Sequence, residues 1–230
     1  MARFLVPLAV AACIALGLRS VAIEPFRIPT ESMLPTLRPG DRLFVNKLAY
    51  GARIPFTHWR LPAVRAPRRG DVVVFRKEQR DGDRAEVFPT PWLVKRIVGL
   101  PGDHVVARDG ELWINGRLVE QWRTGEVWLD GGGTPLAGER ESLDGREHAL
   151  VDDPGRVAAP FDGIVPRGRY FVMGDNRDHS SDSRSFGAVD FDAFVGPVAF
   201  LYWSSVEGRA SSGKRLAGLA QWDRVGERVE

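Results

Sequence analysis

Trp92-Leu93-Val94-Lys95-Arg96-Ile97-Val98-Gly99-Leu100-Pro101-Gly102-Asp103 reads as one apolar strand running into a tight turn. Its branched aliphatic side chains favour a pleated, buried conformation. The closing Gly-Asp pair starts a turn into a following strand. The same pair recurs at Gly40-Asp41 and Gly70-Asp71. The runs that follow the three pairs are Arg42 to Lys47, Val72 to Lys77 and His104 to Ala107, all strand-like. Arg69-Gly70-Asp71 also spells an adhesion tripeptide, but the turn reading covers all three pairs at once. Asp109-Gly110 and Asn115-Gly116 are hairpin dipeptides, which divide Val105 to Val119 into a three-stranded meander. Strand character returns over Arg169 to Met173 and Val195 to Trp203. Residues 130–168 are rich in Gly, Pro, Asp and Arg and read as long loops with short strands. The tail from Ser211 is polar, and Leu216, Leu219 and Trp222 have the spacing of a short helix. The body of the chain is therefore expected to be mainly β.

Composition agrees. The 230 residues suit one large domain, or one domain carrying an insertion. An apolar fraction of 43% and a charged fraction of 27% exclude wholesale disorder and a polytopic membrane protein. A net charge of +2 without a long basic run argues against a nucleic-acid partner. Cys13 is the one cysteine, which excludes an internal disulfide framework and a cysteine-based zinc site. His58, His104, His148 and His179 lie far apart, so no metal is expected.

The apolar surplus is concentrated at the N-terminus. Phe4 to Leu18 carries no charge, and Arg19 alone interrupts the stretch up to Ile23. A spanning helix needs about 20 residues, with a lower limit near 17. Arg19 can snorkel, and Arg3 favours leaving the first end in the cytoplasm. A cleaved secretory signal would share the positive start and short apolar run, but no convincing cleavage site follows. Residues 1–23 are read as a single uncleaved anchor, with the rest of the chain outside the cytoplasm.

Chemistry without a metal or a cysteine nucleophile needs another activated group, and serine with a lysine base is one option. Ser32 lies in Phe26-Arg27-Ile28-Pro29-Thr30-Glu31-Ser32-Met33-Leu34-Pro35-Thr36-Leu37, where Pro29 and Pro35 prevent a continuous helix. Such a segment either presents its serine at a fixed angle or is a solvated linker beside the membrane. Lys95 shares a strand face with Leu93 and Ile97. It is either a buried base, its pKa lowered by desolvation, or an edge-strand lysine that resists aggregation. Arg96 points the other way and cannot be deprotonated. A third segment, Gly174 to Gly187, is too polar for a core. Arg177 and Arg184 can pair there with Asp175, Asp178 or Asp182, giving a rigid platform. Its alternating oxygen donors also suggest a calcium loop, but the twelve-residue order with a terminal Glu is missing.

Taken together, these segments resemble the bacterial type I signal peptidases, membrane-bound serine–lysine proteases. The family's boxes match Phe26 to Leu37, Gly40 to Lys47, Arg69 to Phe75, Lys95 to Asp103 and Gly174 to Arg184, in family order. The closing Trp222-Asp223-Arg224-Val225-Gly226 also resembles the family's tail. The resemblance implies Ser32 as nucleophile and Lys95 as general base. It implies an oxyanion hole from Thr30 and the Ser32 N–H. Ser180 would orient the lysine, and Asp182 would pair with Arg184. Phe26, Ile28, Met33, Leu37 and Val94 would line pockets for small residues at −1 and −3 of the cleavage site. No cofactor is implied. The implied fold is an antiparallel β catalytic core (24–103 and 169–210) with a second β/loop domain inserted at 104–168. The anchor precedes it, and 211–230 form a tail. The implied partners are exported preproteins with signal peptides, the lipid bilayer and the export machinery. The implied place is the bacterial inner membrane, single-pass, with the catalytic domain on the extracytoplasmic side. A specialised serine–lysine processing peptidase, for pilus or conjugation proteins, and a non-catalytic membrane-tethered scaffold are the alternatives. The run Arg53 to Arg68, with Phe56, Trp59 and Leu61 among basic side chains, reads as a lipid-touching or plain surface loop.

Overall fold

Three copies of one turn frame the fold. In the computed structural model, Gly40, Gly70 and Gly102 have φ of 95°, 89° and 92°, a region that glycine enters without strain. The next residue's N–H returns to the carbonyl three positions back: Asp41 to Arg38, Asp71 to Arg68, Asp103 to Leu100. This is the hydrogen-bond and glycine pattern of a type II turn. Each Asp carboxylate also accepts the N–H of its turn's first residue, at 2.9, 2.9 and 2.6 Å in that order. All three carboxylates are buried, so each requires a cation. Arg224 supplies it for Asp41 at 2.7 Å, Arg65 for Asp71 at 2.5 Å and Arg69 for Asp103 at 2.9 Å.

The structure describes residues 22–54, 59–77, 92–209 and 215–229. In chain order the strands are β1 (Ile23–Arg27), β2 (Arg42–Asn46), β3 (Val72–Arg76), β4 (Trp92–Gly99), β5 (His104–Arg108), β6 (Glu111–Ile114), β7 (Arg117–Leu118) and β8 (Glu120–Leu129). There follow β9 (Pro135–Leu143), β10 (Arg146–Asp152), β11 (Phe161–Ile164), β12 (Arg169–Met173), a one-turn helix α1 (Ser183–Phe186), β13 (Val189–Asp190), β14 (Phe194–Trp203), β15 (Ser205–Arg209) and β16 (Arg215–Ala220). A seven-stranded sheet has the order β1-β2-β14-β3-β4-β12-β13. Two smaller sheets, β10-β9-β8 and β11-β5-β6-β7, are built from the middle of the chain. The strand pairs are antiparallel, as expected for a mainly β body.

The central sheet is packed on both faces. Ile97 joins a cluster with Tyr50, Phe75 and Phe194, while its neighbour Val98 joins Val105, Leu112 and Phe171. A third cluster holds Ile28, Met33 and Leu37 against Leu43, Val45 and Val74. Lys95 and Arg96 are consequently only 2% and 1% exposed. β4 lies between β3 and β12, although β12 covers it only from Arg96 to Gly99; it is the burial of Lys95 that overturns the reading of an exposed edge-strand lysine.

Two sequence expectations need correction. Residues 130–168 are not mainly loop: β9 and β10 form a long hairpin closed by Asp144-Gly145, both with positive φ (51° and 78°). The alternation was hidden because an inward position of β9 is occupied by Glu141, a charged residue that is 0% exposed. The tail does not form a helix over Leu216 to Trp222. Arg215–Ala220 instead pairs as β16 with β15, and a short 3-10 turn covers Trp222–Arg224. Gly218 costs a helix interior about 1 kcal/mol relative to alanine, while β15 offers the backbone an antiparallel partner. The anchor expected over 1–23 lies, but for its last two residues, outside the described residues, and Ile23 already opens β1. Among the described residues no helix is long and apolar enough to cross a membrane. Phe56 and His58 also lie outside the described residues.

Candidate active site

Ser32 sits in a turn between two prolines. The Leu34 N–H closes that turn on the Glu31 carbonyl at 3.0 Å. Leu34, two residues on, packs with Leu136 of β9 and Val151 of β10. The segment is thereby pressed between the main sheet and the β8–β10 sheet. At the far end of the segment, Arg224 of the C-terminal motif donates to the Thr36 carbonyl at 2.8 Å. This is an anchored platform and not a solvated linker.

Lys95 Nζ lies 2.5 Å from Ser32 Oγ. Thr30 Oγ1 lies 3.4 Å from the same oxygen. Burial lowers the Lys95 pKa to about 8, partly opposed by Asp182 and Asp175 and assisted by Arg184. At pH 7 a lysine with that pKa is neutral roughly one time in ten, against about one in 2,500 for an unperturbed lysine. The site thus holds a usable base next to a hydroxyl.

That base carries a stability cost with a definite sign. The folded pKa is depressed below the unfolded 10.5. The unfolded chain therefore binds more protons between pH 8 and 10.5, and the cost is complete below pH 8 and fades towards 10.5. Lys95→Met is expected to stabilise the fold at pH 7 by on the order of 2 kcal/mol, after allowance of about 1 for the lost hydrogen bond. The gain should shrink towards pH 10. Denaturant unfolding of both proteins at pH 7 and pH 10 checks this, and an unstabilised Met variant would contradict the buried-cation argument.

The polar segment after β12 packs against the backbone of Ser32. Asp182 caps α1 and accepts the Gly174 N–H at 3.1 Å, while Arg184 grips it with Nε and Nη2, both at 2.8 Å. The Asn176 N–H donates to the Ser32 carbonyl at 3.2 Å, and its side chain to the Glu31 carbonyl at 3.3 Å. Next to Lys95, Arg96 forms a two-pronged pair with Asp175, both contacts at 2.8 Å, and Thr36 Oγ1 donates to the same carboxylate at 2.6 Å. Burial pushes the Asp175 carboxyl up, but Arg96 outweighs it and holds it below the usual range. Such a pair fixes geometry more than it adds stability. It ties the serine segment, the lysine strand and the polar loop into one unit.

A family model described as signal peptidase, peptidase S26, matches residues 1–203. The chain belongs to this family. It is 41% identical to a signal peptidase I of Pseudomonas aeruginosa over 226 residues, covering 93% of this chain and 74% of the relative. It is 39% identical to a signal peptidase I of Pseudomonas fluorescens with the same coverage. A crystal structure of a signal peptidase I from Enterococcus faecalis aligns with 59% of this chain and 98% of its own at 26% identity, with a TM-score of 0.35.

In this peptidase S26 member the residues expected at the site are placed unevenly. Ser32, Lys95 and Thr30 converge, and Asp182 and Arg184 pair behind them. Ser180 lies beside Gly174, and its hydroxyl is buried with no hydrogen-bond partner among the described residues. Phe26 and Val94 are partly exposed on the rim of the cluster that holds Ile28, Met33 and Leu37. Ile28, Met33 and Leu37 are buried at 2%, 1% and 0% and belong to that core. Within the polar loop, Arg184 pairs with Asp182 as sequence allowed. Arg177 instead reaches Glu141 of β9, and Asp175 reaches Arg96. Those cross-strand partners have no local sequence signal.

Gly174 opens the polar loop, and its role appears only in three dimensions. A β-carbon there would lie 2.3 Å from the Ser32 carbonyl oxygen and 2.4 Å from Ser180 Oγ. Only the missing side chain lets β12 and its loop approach the serine this closely.

Proposed function

We propose that the chain is a membrane-anchored endopeptidase that removes N-terminal signal peptides from exported preproteins. Ser32 is the nucleophile and Lys95 the general base. The observation that carries this is the 2.5 Å approach of a fully buried Lys95 Nζ to Ser32 Oγ. Membership of the peptidase S26 family and the names of its relatives supply the substrate class. An anchor ahead of β1 keeps the catalytic part on the extracytoplasmic side of the inner membrane.

Ser32 Oγ attacks the scissile carbonyl while its proton passes to neutral Lys95. The tetrahedral oxyanion is stabilised by the Ser32 N–H and the Thr30 hydroxyl, donors worth about 2.7–4 kcal/mol each when removed. The Lys95 ammonium then protonates the leaving amine, the C–N bond breaks, and an acyl-enzyme on Ser32 remains. Water, deprotonated by Lys95, releases the signal peptide and restores the hydroxyl. Substrate is expected to bind in extended form. β12 pairs with β4 from Arg96 to Gly99, so the Leu93–Val94 backbone has no strand beside it on that edge among the described residues. Phe26 and Val94 flank this edge and offer apolar contact to small side chains.

The test uses the full chain in detergent and a preprotein with an Ala-x-Ala junction. Mass spectrometry should show a single cut after the second alanine. Because only neutral Lys95 serves, kcat/KM should rise roughly tenfold per pH unit up to about pH 8 and then level. A cut elsewhere, no cut by folded protein, or a flat profile from pH 6 to 9 would overturn the assignment.

A further inference from the structure

We infer that Glu141, from the β8–β10 sheet, is a positioning residue that holds the catalytic loop in place through Arg177; this rests on the assignment of Ser32 and Lys95 above. Glu141 is 0% exposed, although nothing local in the sequence marks it. Arg177 Nη1 donates to its Oε2 at 3.0 Å, Arg177 Nη2 donates to Oε1, and Gln121 Nε2 of β8 donates to Oε2 at 2.7 Å. A two-pronged pair of this kind fixes the plane of the guanidinium.

Arg177 is a hub for the loop. Its Nε donates to the Gly174 carbonyl at 3.2 Å, and its own carbonyl accepts from Arg184 Nη2. Gly174 abuts the Ser32 carbonyl, and Arg184 grips Asp182, a carboxylate that acts on Lys95. One end of the loop behind Ser32 and Lys95 therefore hangs on the Arg177 guanidinium and the other on its backbone carbonyl, and a carboxylate from another sheet fixes the residue that carries both.

The charged surroundings give the role a signature. Facing Glu141 are Arg177 from the loop and His148 from β10. His148 Nε2 lies 3.2 Å from Oε1 but out of line for a hydrogen bond. Burial, and then Arg96, favour the neutral form of His148. Acting on Lys95 are Asp182, Asp175 and Arg184. Asp175 and Asp182 already attract Arg177. With Glu141 neutralised, Arg177 turns its charge on these two carboxylates, which otherwise help Lys95 keep its proton. The neutral lysine is then favoured, while the loop loses its orientation.

The experiment measures kcat, KM and the pH dependence of kcat/KM on the preprotein, using the full chain in detergent. Glu141→Gln should lower kcat by about tenfold or more with KM nearly unchanged, as expected for misplaced catalytic groups. The acid limb of the profile should move to lower pH by roughly half a unit. The double variant Glu141→Gln/Arg177→Met removes both charges, and its limb should return towards wild type while kcat stays low. Leu112→Ala, which opens a cavity in a core cluster, serves as a control for lost stability and should leave the limb in place. Glu141→Asp keeps the charge but shortens its reach, so it should lower kcat without moving the limb. An unmoved limb in Glu141→Gln, or wild-type kcat in Glu141→Asp, would overturn the positioning role while leaving the dyad intact. Cleavage surviving Ser32→Ala would instead overturn the dyad, and the role of Glu141 with it.

Discussion

Ser32→Ala and Lys95→Ala are each expected to lower kcat for preprotein cleavage by a factor on the order of 10⁴ to 10⁶, with little change in KM. In the proposed mechanism the two side chains act as a unit. Without the lysine the hydroxyl has no base to take its proton, and Arg96 beside it cannot be deprotonated. Without the hydroxyl the neutral lysine has nothing to activate. The double variant should therefore be no slower than either single one, which separates a dyad from two independent contributors. Lys95→Arg should be as inactive as Lys95→Ala, because a guanidinium keeps its charge at any working pH. Single-turnover cleavage followed by gel and mass spectrometry gives the rates, and thermal unfolding checks the fold. Lys95→Met adds a sharper contrast, since it should be more stable than wild type and still inactive. Lys95→Ala within tenfold of the wild-type rate would mean that another group is the base.

Gly174→Ala is expected to lower kcat/KM by at least about 10²-fold, the cost of displacing a reacting group by roughly 1 Å. It should also destabilise the fold by about 1–3 kcal/mol through overpacking. The added carbon would meet the Ser32 carbonyl oxygen at 2.3 Å and the Ser180 side chain at 2.4 and 2.6 Å. Ser180 can rotate its hydroxyl away, but its β-carbon and the Ser32 carbonyl can move only with their backbones. That carbonyl also accepts the Asn176 N–H, so the same shift would break a hydrogen bond. The effect is steric: Gly174 is not among the positive-φ glycines, and alanine suits its backbone. The readout is kcat/KM together with the midpoint of denaturant unfolding. A wild-type rate in this variant would mean that the position of Ser32 does not depend on the loop after β12.

Much of the site was legible along the chain because its parts lie in short, stiff segments. Pro29 and Pro35 bracket Ser32, the β4 run carries Lys95 on an apolar strand, and the polar stretch after Met173 stands apart from any core pattern. The three Gly-Asp turns were legible for the same reason, since glycine conformation and an aspartate side chain close them locally. Where a local pattern was read too literally, tertiary pairing prevailed. The spacing of Leu216, Leu219 and Trp222 suggested a helix, but the backbone there is paired with β15.

What the chain determined by itself was the β character and the order of the motifs, because these depend on residues adjacent in sequence; Ser32 and Lys95 stood out only through the resemblance of their segments to the family's boxes. The tertiary structure decided which charges meet. Arg96 with Asp175, Arg177 with Glu141 and Arg224 with Asp41 join residues far apart along the chain. It also decided that a lysine flanked by apolar residues is buried, and that burial lowers its pKa. Burial and long-range ion pairing are set by packing between sheets, and a linear pattern of residue types does not encode which sheets will touch.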